Sequence, residues 1–283
     1  MTDSNFKDAF NAGMNQVRVL DGDVALGVTR DGVPTAFSLE EYRGQPQTKR
    51  GAVLTYDERS FAEYVIRHRE PGSVVYYDPD DLTIVAVLDG HSEGQPGWNN
   101  HRVSLHTRLT AEWADWTKKN REAMNQVQLA EFIENHVEDV ATPAGATLLE
   151  MVKAMSIRKN VVFESGVELH NGQVQLKYHE TTEAGAAADA GKNTLTFPRE
   201  LVLGLSPFKG LRDADGKKVL YALVARLRWR LDGSALKLWL ELVRPELVRE
   251  TAFTDRLATV VKRLAGYGVP TSYGVPPSVV DAK

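Results

Sequence analysis

Residues Ala123–Val140, Ala-Met-Asn-Gln-Val-Gln-Leu-Ala-Glu-Phe-Ile-Glu-Asn-His-Val-Glu-Asp-Val, carry the clearest helical pattern in the chain. Leu129, Phe132, Ile133, His136, Val137 and Val140 fall at helical spacing and make one apolar stripe. Glu131, Glu134, Asn135 and Glu138 take the other side. The stripe needs a sheet or a second helix to cover it, and strand-like segments lie both before and after it. The stretch therefore predicts an α+β fold, with mixed sheets and antiparallel hairpins around a long central spine helix. The three glutamates share a helix face, and a solvated polar face accounts for them better than a carboxylate cluster. His136 lies on the apolar stripe and reads as a core histidine with a hydrogen-bond partner.

Downstream, Thr142-Pro143 has the form of a helix start, a capping residue followed by proline at the first position. Leu148, Val152 and Met155 supply the buried edge of that helix. Residues 161–169 and 174–180 form a hairpin about Asn171-Gly172. Residues 194–197 and 201–205 are further strand material. The strongest hairpin joins 219–231 to 235–243. Leu223, Ala225, Leu227, Trp229 and Leu231 alternate with Arg226, Arg228 and Arg230. Leu236, Leu238, Leu240 and Leu242 alternate with Lys237, Trp239 and Glu241. A turn at Asp232-Gly233 sets Trp229 opposite Leu236 and Arg226 opposite Trp239, and a one-residue slip would pair leucines with arginines. A final helix covers 247–265.

Upstream, Asp57 is placed to cap a helix through His68, with Phe61, Tyr64, Val65 and His68 on its apolar face. Residues 73–78, 82–89 and 102–107 read as strands, and Thr110 caps a helix carrying Trp113 and Trp116. Residues 17–37 read as short strands broken by Asp21-Gly22 and Asp31-Gly32. The organisation predicted is an N-terminal arm over 1–16, one core over 17–265 with a loop-rich lobe near 181–218, and an extended tail over 266–283.

With 283 residues the chain is long enough for one large domain or two modest ones. Hydrophobic residues at 42% and charged residues at 25% exclude wholesale disorder. A net charge of −4 argues against a protein that coats nucleic acid or an anionic membrane. No apolar run is long enough to span a bilayer, and the first residues lack the basic and apolar regions of a signal peptide. Cysteine is absent, which removes disulfides, thiolate nucleophiles and cysteine-bound zinc. A cytoplasmic protein with no cofactor and no membrane partner is the expectation.

Three sets of residues are candidates for function. Asp89, His91, His101 and His106 are of types that suit zinc or iron, but their spacing matches no ligand motif, so no metal is expected. Lys209, Arg212, Lys217, Lys218, Arg226, Arg228 and Arg230, with Trp239 among them, concentrate positive charge in an acidic chain. Such a ladder can track phosphates and stack a base. The alternative, which is favoured, is a sheet face whose arginines pair with acidic neighbours across a subunit boundary. The third set is the arms. Phe6 and Phe10 make an apolar edge at one end. Tyr267, Pro270, Tyr273 and Pro276 make an uncharged, proline-rich segment at the other. Prolines and tyrosines lower the entropy cost of ordering such a segment against a neighbouring subunit. No phosphate loop, nucleophile elbow, His-Glu-x-x-His or dinucleotide fingerprint is present.

The order of several segments carries a resemblance. Thr110-Ala-Glu-Trp-Ala-Asp-Trp116, Gln128-Leu-Ala-Glu-Phe-Ile-Glu134, Phe163-Glu-Ser165 with Asn171-Gly172, Pro207-Phe208, Ala225-Arg-Leu-Arg228 and Arg244-Pro245 together resemble the YfdQ-like proteins of bacteriophages and prophages. That family has no established function and supplies no catalytic residues. The resemblance implies a phage origin and the cytoplasm of an infected bacterium. The order of elements is also similar to the capsid-type fold of tailed phages and encapsulin shells. The first expectation is thus a non-enzymatic phage protein that assembles into a homo-oligomer, with a closed shell or nanocompartment as one form. The alternative is an early-infection accessory protein that binds nucleic acid or a host defence protein through the basic hairpin. A metal-dependent hydrolase using the His91 region is a third.

Overall fold

The computed structural model describes residues 18–20, 24–28, 34–39, 44–46, 48–156, 161–168, 173–180, 193–213, 215–232 and 235–278. Phe6, Phe10, the Asp-Gly pairs at 21–22 and 31–32, and the segment 181–192 lie outside them. The chain divides into two compact units, Met1–Gly51 and Ala52–Lys283.

In the first unit, strands β1 (Arg18–Leu20), β2 (Val24–Val28) and β3 (Pro34–Ser38) form an antiparallel meander with Leu20 opposite Val24 and Val28 opposite Pro34.

In the second unit, one layer is a sheet of β4 (Gly51–Thr55), β5 (Val74–Asp78), β6 (Thr83–Val87), β7 (His101–Leu105) and β15 (Thr271–Tyr273). Its order is β15-β5-β6-β7-β4. Helix α1 (Glu58–His68) starts where predicted, because the Asp57 carboxylate accepts from the Ser60 amide at 2.8 Å. Phe61, Ala62 and Val65 of α1 pack on Val75, Ile84, Ala86, Leu88, Val103 and Leu105 of the sheet. They are joined there by Ala252, Phe253, Val260 and Leu264 of helix α5 (Pro245–Leu264).

Between α1 and α5 lies a fully buried arginine. Arg256 is 0% exposed, and its Nε sits 2.6 Å from Glu58 Oε1 in an ion pair outside hydrogen-bond geometry. Its Nη2 donates to the Tyr56 carbonyl at 3.2 Å, and its Nη1 is buried with no hydrogen-bond partner. Burial pulls the guanidinium pKa below its usual value, and the charges of Glu58 and Asp57 oppose that shift.

The second layer is a sheet in the order β14-β13-β12-β8, built from β8 (Val140–Thr142), β12 (Glu200–Leu205), β13 (Tyr221–Asp232) and β14 (Ala235–Leu242). Helices α2 (Ala111–Lys118), α3 (Gln126–Asn135) and α4 (Gly145–Ser156) cover it. Trp113, Trp116, Leu129, Phe132, Ile133 and Leu148 bury against Leu201, Leu203, Leu223, Leu227, Leu238 and Leu240. A three-stranded antiparallel sheet of β9 (Val161–Glu168), β10 (Gln173–Glu180) and β11 (Asn193–Pro198) completes the unit. The fold is mixed α and β, with mostly antiparallel sheets as expected.

Several expectations need correction. The spine is not one helix over Ala123–Val140. Met124 is bridged to Leu238 by two backbone hydrogen bonds of 2.7 and 2.9 Å, and Asn125 is the helix cap, closing a capping box with Gln128. At the other end His136 leaves helical geometry, Val137–Asp139 form a 3₁₀ turn, and Val140 joins the sheet opposite Leu203. Sheet pairing at both ends overrides the periodicity, yet Leu129, Phe132 and Ile133 remain buried. His136 Nδ1–H donates to the Phe132 carbonyl at 2.8 Å, the hydrogen-bond partner expected. Thr142-Pro143 does not start a helix: Thr142 ends β8, and α4 begins at Gly145. The side chains of Val152 and Met155 lie outside the described residues. The β13–β14 hairpin closes with Asp232 opposite Ala235, so Trp229 faces Leu238 and Arg226 faces Glu241, two residues from the predicted register. A slip of two leaves every side chain on its predicted face.

Candidate functional site

The β13–β14 sheet face holds most of the basic ladder. Leu223, Ala225, Leu227, Leu236, Leu238, Leu240 and Leu242 point into the core, so Arg226, Arg228 and Arg230 emerge on the other side. Arg228 stands opposite Trp239. Arg226 Nε is 2.8 Å from Glu200 Oε1, and Arg228 Nε is 2.9 Å from Glu241 Oε2. Arg121 reaches the other oxygen of Glu241 at 2.9 Å. The hydrogen bonds from Arg228 and then Arg121 hold the Glu241 carboxyl below its usual range. The acidic partners anticipated for this face thus come from the same chain. Lys217 and Lys218 are not part of the ladder, since they lie in the turn before β13. With two of its arginines already paired, the ladder should give no gel shift with DNA or RNA at physiological salt. A shift that vanishes in Arg226→Gln/Arg228→Gln/Arg230→Gln would contradict this.

Asp89, His91, His101 and His106 are not brought to one centre. The Asp89 carboxylate accepts from the Asn100 and His101 amides, each at 2.9 Å, and so fixes the ends of the loop between β6 and β7. His101 is buried, with Nε2 2.9 Å from the Tyr64 hydroxyl. His91 is exposed and its Nδ1 accepts from the Gly97 amide at 2.9 Å. His106 lies edge-on to Tyr56. Among the described residues no group of three or more histidine or carboxylate side chains is placed to hold a metal ion. Glycines in this loop and packed against it have no room for a side chain: a Cβ on Gly97 would sit 2.2 Å from the Asp89 carbonyl oxygen, and one on Gly72, in the turn between α1 and β5, would sit 2.0 Å from the Gly90 carbonyl oxygen.

The C-terminal segment packs on its own chain. The Pro270 carbonyl accepts from the Val75 amide at 2.9 Å, β15 pairs parallel with β5, and the Gly274 amide donates to the Tyr77 carbonyl at 2.9 Å. The Arg69 guanidinium lies 5.2 Å from the Tyr267 ring centre, Tyr77 meets Tyr273 edge-on, and Arg102 donates to the Pro277 carbonyl. Pro276 is half-buried. Even so docked, Tyr273 and Val275 are each 66% exposed. Sequence reasoning missed strand β15 because its partner is remote and it carries none of the usual strand alternation.

A cleft was also missed. Thr110 caps α2, accepting from the Trp113 amide and donating to the Ser206 carbonyl at 2.6 Å. A bridge between Leu109 and Phe208 then brings residues 208–212, together with Lys218, against the first turn of α2. The resulting cleft of about 310 Å³ is lined by Glu112, Phe208, Lys209, Leu211, Arg212 and Lys218, among others. Lys218 Nζ is 3.0 Å from Glu112 Oε1. The backbone amide of Glu112 itself, and then Lys218, hold that carboxyl below its usual range.

No helix among the described residues is long and apolar enough to cross a membrane. No curated protein and no solved structure matches the chain. A family model described as "Uncharacterized conserved protein (DUF2303)" matches residues 9–276, nearly the whole chain, and the chain therefore belongs to the DUF2303 family.

Proposed function

We propose that this chain is a non-enzymatic protein that assembles with copies of itself through the edges of its five-stranded sheet. The observation that carries this reading is the chemistry of the two edge strands. Exposed edges are normally blunted by charge or proline, because their free backbone groups recruit another strand. Here β4 is Gly-Ala-Val-Leu-Thr and β15 is Thr-Ser-Tyr, with no charge in either. Leu54 on β4 is 49% exposed and Tyr273 on β15 is 66% exposed. Pairing β15 of one copy with β4 of the next is a heterologous contact, which builds rings or shells when the rotation closes. A closed shell, a phage or prophage origin and assembly in the cytoplasm of an infected bacterium belong to the same reading. They rest on the sequence resemblance and the order of elements. The pairing of Arg226 and Arg228 within the chain favours this reading over nucleic-acid binding.

Light scattering on the purified protein tests the proposal. At micromolar concentration the mass is expected to be a multiple of 31.4 kDa. The double variant Leu54→Lys/Tyr273→Lys, both at exposed positions, is expected to fall to monomer with unchanged circular dichroism. A wild-type protein that runs as a monomer, or a double variant of unchanged mass, removes the proposal.

A further inference from the structure

We propose that the cleft at the start of α2 binds the phosphate groups of a small phosphorylated molecule. Three cations, Lys209, Arg212 and Lys218, line it against a single acid, Glu112. The chain as a whole carries −4, so this positive density is a local feature. Phosphate is the anion that such a set fits best, since Arg offers a planar fork and lysines act as mobile point charges. Phe208 and Leu211 form the floor of the cleft but are only 1% and 7% exposed, packed into the core behind it, so the charged side chains make most of the contact with a ligand. At about 310 Å³ the cleft lies near the lower end of small-ligand sites, which suits a compact mono- or diphosphate and is too small for a duplex. Glu112 shows how an oxyanion is held there, because its carboxylate already takes Lys218 as partner. An entering phosphate displaces that carboxylate and takes over Lys218. Gly210 lines the cleft. Its φ of +86° is a conformation few side chains adopt, and an added Cβ would sit 3.3 Å from the Tyr56 carbonyl oxygen.

Titration calorimetry on the full chain, with pyrophosphate, ADP and a short single-stranded oligonucleotide in separate arms, tests this. Pyrophosphate and ADP are expected to bind saturably. Lys209→Gln/Arg212→Gln, at two exposed positions, is expected to weaken both by about ten-fold or more. Glu112→Gln is expected to tighten both by removing the competing carboxylate. Lys237→Gln, on the β14 face, is the control and should change nothing. The proposal is overturned if pyrophosphate and ADP give no saturable heat, or if only the oligonucleotide binds. It is equally overturned if the double variant binds like wild type, if Glu112→Gln weakens binding, or if the control weakens it as much as the double variant. None of these outcomes depends on the oligomeric mass.

Discussion

Glu58→Ala is expected to lower the unfolding free energy by about 3–5 kcal/mol, as read by urea denaturation at neutral pH. The reason is what it leaves behind. Arg256 is 0% exposed and its closest charged partner is Glu58 at 2.6 Å. Without that carboxylate the guanidinium keeps one hydrogen bond, to the Tyr56 carbonyl, and no nearby compensating charge except Asp57. Losing a partner is far costlier than never having had the pair. The double variant Glu58→Leu/Arg256→Met therefore should recover most of the loss, since two apolar side chains of similar length replace both charges in an interior already lined by Phe61, Phe253 and Val260. A loss below about 1 kcal/mol in Glu58→Ala would mean that Arg256 reaches water, contrary to its burial.

Phe132→Ala is expected to cost about 3–5 kcal/mol by the same measurement. The ring is 9% exposed and lies between Trp116, edge-on at 4.9 Å, and the tilted His136 ring at 4.4 Å. Trp116 is pinned by its own hydrogen bond to Asp139 at 2.9 Å, so it is poorly placed to move into the void. The cost is cavity as well as lost contact. Phe132→Leu, which keeps most of the volume, should cost clearly less. Equal losses for the two variants would show that the site collapses freely and that the Trp116–Asp139 bond does not hold the ring.

What could be read from sequence was what local chemistry fixes. Asp57 and Thr110 were legible as caps because a short oxygen three residues before an amide is a local signal. The β13–β14 hairpin was legible because alternation of leucine with arginine has one solution on a two-sided sheet. Its register was misjudged by two because the Asp232-Gly233 pair looks like a turn centre, while Asp232 in fact closes the ladder opposite Ala235. The helical stripe through Val137 and Val140 misled for a similar reason. Valine serves a helix face and a strand equally well, and the choice was made by β12, more than sixty residues later. The cap at Asn125 carried a legible signature, the Gln at its third helical position, but it lay inside the stripe and was absorbed by it. The cleft and the Arg256–Glu58 pair had no local signature, since each joins segments far apart in the chain.

That separation has a consequence in time. Tyr56 and Arg256 are 200 residues apart, and Arg102 and Pro277 are 175 apart. At ~5–20 residues per second, roughly 10–40 s pass on the ribosome between the making of Tyr56 and of Arg256. Throughout that interval α1 has no α5 to cover it, and β5 has an open edge where β15 will lie. Four of the five strands of that sheet therefore wait, half-dressed, for the last helix and the strand that follows it. Chaperones that shield apolar sheet surface should meet the nascent chain during that wait, and release should follow the emergence of residues 245–277.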